Sequence, residues 1–132
     1  MLQIAISLEL ATIPPYLCAY WSIDDGDDDP GYVKLALGRI LAEEMRHLGL
    51  ACNLLGAFHH NPLHTTTDVL PILNQPGYAP VYPGPLPGGI HPGLILTLSK
   101  LTKEQLGTQF MQLEFPSKEA VSKGNKSFTT IG

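Results

Sequence analysis

LALGRILAEEMRHLGLACNLLGA, residues 35–57, reads as one long helix with a buried stripe. Leu37, Ile40, Leu41, Leu48, Ala51 and Leu55 recur at the three- and four-residue spacing that places side chains on one helical face. Glu44 falls inside that stripe, and His47 follows it by one turn. An unpaired carboxylate in such a place costs several kcal/mol or more, so a partner is expected. A metal ion is the partner that also accounts for the histidine. Helical bundles that bind two irons or two manganese ions use this Glu-x-x-His spacing. The alternative is a surface acid beside a core histidine. Glu43 is the better candidate for the surface acid, because Arg39 and Arg46 lie four and three residues away. If Glu43 faces out, Glu44 faces in.

Two further acids share that misplaced look. Glu9 is flanked at helical spacing by Leu2, Ala5, Ile6, Thr12, Ile13 and Tyr16. Glu114 lies beside the stripe Leu106, Phe110 and Leu113, with Met111 three residues before it. Taken singly, Glu9 reads as well as a buried acid bonded to a neighbouring helix, and Glu114 as a surface acid at a helix end. Together they supply a lone Glu from each of two helices and one Glu-x-x-His, most of a carboxylate-bridged metal site. The full pattern needs a second Glu-x-x-His, and none follows Glu114.

At 132 residues the chain is one domain at most, and 44% apolar residues suffice for a core. Charged residues are scarce at 15%, and a net charge of −4 gives no electrostatic case for nucleic acid. Cys18 and Cys52 sit in apolar helical runs and read as small hydrophobes rather than a disulfide. No uninterrupted apolar run reaches the ~18 residues of a membrane span. The opening MLQIAISLEL lacks the basic and small-residue marks of a signal peptide, so a cytoplasmic location without membrane partners is expected.

The spacing predicts helices over about 1–23, 30–57 and 102–115. No Ser, Thr, Asp or Asn precedes Leu2 as a cap, as though the first helix were cut into. Pro14-Pro15 must kink or stop that helix, and the apolar pattern resuming over 16–23 favours a kink. The acidic run DDGDDD (24–29) does not fit an EF-hand and reads as a solvated turn. Asp29-Pro30 is a start signal for the second helix, and Thr102 with Gln105 forms a capping box for the third. Between 59 and 98 lie eight of the twelve prolines, which forbid a long helix or central strand. Its apolar residues, Val81, Tyr82 and Leu86 among them, predict an irregular segment packed on the helices.

His59, His60 and His64 form a rival metal constellation, but no acid or cysteine stands near them, and a helix C-terminus favours histidine by itself. PLPGG lacks the lysine and the context of a phosphate loop, and no serine stands in an elbow.

Four segments together, IAISLELATIPPYL, ILAEEMRHLGLACNLLGA, YPGPLPGG and FMQLEFP, resemble one family. It is the ferritin-like domain of the VioB type, also called the iminophenyl-pyruvate dimer synthase domain. The imine dimer synthases of bisindole biosynthesis, such as RebD and StaD, carry it. The resemblance runs in order over nearly the whole chain; ELATIPPYL and YPGPLPGG are specific, and ExxH alone is not. It implies an all-α fold: a partial ferritin-like bundle of three helices with a long Pro/Gly-rich crossover. It places Glu9, Glu44, His47 and Glu114 where metal ligands belong, with Glu44 bridging and Glu114 serving the second metal. The implied cofactor is iron or manganese, dinuclear in a complete domain, and the implied chemistry is an oxidative step on an amino-acid-derived imine. The family continues into a fourth helix with the second Glu-x-x-His, so residues 1–132 read as one incomplete domain, expected to self-associate and to bind metal poorly alone. An iron-handling protein and a non-catalytic helical remnant are the competing classes.

Overall fold

A computed structural model describes residues 1–24, 31–59 and 79–115. The acidic run from residue 25 onward, the Asp29-Pro30 start signal, His60, His64, the proline-rich stretch up to residue 78 and the tail from Pro116 lie outside the described residues, as does the side chain of His59. The chain groups into two units, Met1–Leu101 and Thr102–Gly132.

The first unit is built on two long helices, α1 (Leu2–Trp21) and α2 (Tyr32–His59). Ile6 packs with Leu55, Thr12 meets Glu44, and the Tyr20 ring touches Gly38, so the helices run antiparallel. Ile6, Ala11, Ile13, Tyr16 and Ala19 of α1 and Leu37, Leu41 and Leu55 of α2 are buried. This seam follows the apolar stripe of residues 35–57, and Leu48, Ala51 and Cys52 pack at its edge. Cys18 and Cys52 are free thiols. By length and composition alone α1 could cross a membrane. Part of that apolar surface is enclosed, with Ile6, Ala11, Ile13, Tyr16 and Ala19 buried.

α1 has no side-chain cap at its start and runs unbroken through Pro14-Pro15. Proline at position 15 has no N–H, so the carbonyl of Ala11 loses its helical donor. The Tyr82 hydroxyl takes that place, donating to the Ala11 carbonyl at 2.6 Å. The proline-rich segment thus replaces one of the two donors that the prolines remove, that at Ala11. At the far end Ser22 donates to the Ala19 carbonyl, and the Leu101 N–H donates to the Ser22 hydroxyl at 2.8 Å.

Residues 79–98 pack on α1, as their apolar content predicts, with Leu86, Leu94 and Leu96 buried. They are more regular than prolines alone suggest. β1 (Gly84–Pro85) and β2 (Ile95–Leu96) pair antiparallel, Gly84 opposite Leu96, around a 3-10 turn at Pro87–Gly89. Gly88 has φ +73°, and a Cβ there would run into Ile4 of α1, so glycine serves both the backbone and the docking.

The second unit, among its described residues, is one helical stretch in three parts. These are α3 (Lys103–Gln105), a π-turn (Leu106–Phe110) and α4 (Met111–Leu113). Thr102 caps it, its hydroxyl accepting from the Gln105 N–H at 3.0 Å. The returning half of the capping box is not made, because the Gln105 amide is buried without a hydrogen-bond partner. The π-turn also changes the expected face. It holds one extra residue per turn, which rotates the downstream residues by about 100°. Gln105, Gln109 and Phe110 are buried while Leu106 is exposed, so Leu106 and Phe110 do not share a stripe.

Candidate metal centre

Glu9 comes from the middle of α1, and Glu44 and His47 from the middle of α2. The antiparallel register places position 9 across from position 47 and position 12 across from position 44. Glu9 and Glu44 therefore stand in the same helical seam, where apolar neighbours keep their carboxylates from full hydration. Their side chains are 23% and 15% exposed, against 51% for His47, which sits at the seam's open edge. Glu43 is exposed, so the order of Glu43 and Glu44 is the one the face assignment requires. Among the described residues no ion pair joins Glu43 to Arg39 or Arg46. Long exposed side chains gain little from such pairing and stay in water.

His47 Nδ1 lies 3.7 Å from Glu9 Oε2 and 3.8 Å from Glu44 Oε1. One ligand atom from each of the three residues falls within 4.8 Å of the others. Two ligand atoms each about 2.1 Å from a common ion stand about 3 to 4 Å apart. The three groups fit that requirement with small side-chain adjustments. Two carboxylate oxygens and an imidazole nitrogen are a donor set for iron, manganese or zinc.

Glu114 follows α4 in the second unit, is exposed, and donates its N–H to the Phe110 carbonyl at 3.1 Å. The group brought together in the first unit is Glu9, Glu44 and His47.

Sequence reasoning gave no role to Thr12, which touches this group, or to Tyr82, which bonds to α1. Thr12 is buried, and its hydroxyl donates a hydrogen bond to Glu44 Oε2, from α1 to α2. Its trace in the sequence is a hydroxyl three residues after Glu9 in an otherwise apolar stripe. Tyr82, bonded to the Ala11 carbonyl one residue earlier, has its phenol pushed up to about 12, first by burial and then by the nearby Cys18. Nothing in the sequence links Tyr82 to α1.

A family model described as ferritin-like matches residues 2–131. No curated protein matches the chain, and no solved structure does. The matched span takes in both long helices and all three converging side chains, and the chain belongs to the ferritin-like family.

Proposed function

We propose that this chain is the metal-binding part of a ferritin-like enzyme that carries out an oxidative step on a small, amino-acid-derived imine. The observation that carries the metal reading is the convergence of Glu9, Glu44 and His47 within 4.8 Å. The substrate class is supported by the likeness of ELATIPPYL and YPGPLPGG to the VioB type. Iron or manganese, when bound, supplies redox and Lewis-acid chemistry. Glu9 and Glu44 would hold it through carboxylate oxygens and His47 through Nδ1. Ile6, Leu48 and Leu55 pack together in the same seam, and His47 at its edge is half-exposed.

The test is in two stages. Anaerobic titration with a large excess of Fe(II) or Mn(II) and measurement of bound metal should show one weakly held ion per chain. Absence of binding would end the metal reading. The loaded protein is then given an imine made in solution from an α-keto acid and ammonia, with oxygen, and products are followed by mass spectrometry. A metal-dependent coupled product is expected. Metal binding without any product would leave the centre standing and reject the substrate class.

A further inference from the structure

We infer that Thr12 is a positioning residue of the metal centre, holding one oxygen of the Glu44 carboxylate so that the other faces the ion. This rests on the metal-binding reading above. The two oxygens of Glu44 have different surroundings. Oε2 is bonded to the Thr12 hydroxyl, whereas Oε1 looks toward His47 Nδ1 at 3.8 Å. Thr12 Oγ1 also lies 2.9 Å from the Glu9 carbonyl. A hydroxyl has one hydrogen, and both oxygens compete for it. In an α-helix the carbonyl of residue 9 already accepts from the N–H of residue 13, so the carboxylate has the greater need.

The anchor itself is firm. Thr12 is 6% exposed, and a β-branched side chain in a helix has few rotamers. A carboxylate with both oxygens open can chelate through two oxygens or swing to water. With one oxygen tied across the helix pair, Glu44 offers one ion a single, oriented donor, in place of the two-oxygen bridge between metals that the resemblance implies. Hydrogen bonds to a metal-binding carboxylate typically hold a 10- to 100-fold share of affinity. The same bond couples the sites on the two helices, since Thr12 stands one turn from Glu9 on α1 and its partner one turn from His47 on α2.

The whole chain is titrated with Co(II), read by its visible spectrum and by equilibrium dialysis, in wild type, Thr12→Val, Thr12→Ser and Glu44→Gln forms. Circular dichroism checks that helicity is kept. Thr12→Val should weaken binding about 10- to 100-fold and change the Co(II) spectrum, as Glu44 shifts its mode of binding. Thr12→Ser should restore both. If Thr12→Val disturbs helicity, Thr12→Ala against Thr12→Ser makes the same comparison. Wild-type affinity and spectrum in Thr12→Val, beside lost binding in Glu44→Gln, would overturn the role of Thr12 and leave the metal centre intact. Failure of Thr12→Ser to rescue would overturn it too. A wild-type chain that takes up no Co(II) would remove the metal reading and this inference together.

Discussion

Glu43 and Glu44 are the same residue type one position apart, yet they meet different solvents. A helix turns by about 100° per residue, and that rotation carries one side chain into water and the other into the seam. Exchanging each for glutamine separates the two roles. Glu43→Gln should leave Mn(II) affinity within about twofold, since an exposed charge outside the ligand set acts only through screened, long-range attraction. Glu44→Gln should reduce it by at least the 10- to 100-fold seen when a supporting partner alone is removed. Mn(II) titration followed by electron paramagnetic resonance reads both, and equal losses would break the assignment of faces. At this scale the sequence was legible through position: a carboxylate among leucines announces that it needs a partner. Thr12 was not, because a lone threonine in a helix has many uses, and only the antiparallel register shows which side chain it meets.

Among the elements, α1 and α2 were readable to within two residues at each end, because long periodic stripes are strong signals. The π-turn at Leu106–Phe110 was not, since a change of helical period leaves the same residues in the same order. Nor was the fate of Pro14-Pro15. Pro15 sets up a need for a donor at Ala11, but its supplier is 71 residues away in a segment whose course prolines do not specify. The repair can be measured. Tyr82→Phe keeps the ring and leaves the Ala11 carbonyl unpaired, at a cost of about 1–3 kcal/mol in urea unfolding. The pH dependence comes from the phenol near 12, above the ordinary value of 10 for tyrosine. The folded chain holds that proton more tightly than the unfolded one. The linked stability is therefore complete below pH 10 and lost as pH rises through 12. Ultraviolet titration of the wild type minus Tyr82→Phe should show a single-tyrosine step near pH 12, and a step near 10 would refute the buried contact.

For the molecule as a whole, class and partners in the core could be read from pattern, because the apolar stripes dominate the free energy of packing. The two-residue pairing of β1 and β2 could not, as so short a ladder rests on neighbours rather than on its own propensities. The positions of the two cross-chain bonds have a kinetic consequence. Thr12 and Glu44 are 32 residues apart, whereas Ala11 and Tyr82 are 71 apart. Closing the longer loop costs about 0.6 kcal/mol more per doubling of length, and nearby helices meet before distant segments. The helical hairpin that carries Glu9, Glu44 and His47 should thus zip up in the folding transition state, with the proline-rich segment arriving afterwards. In a chevron experiment Leu41→Ala, which loosens the hairpin, should chiefly slow refolding, and Leu86→Ala, which loosens the late segment, should chiefly hasten unfolding. A nascent chain would then assemble its two carboxylates and imidazole before the residues that brace α1 have left the ribosome.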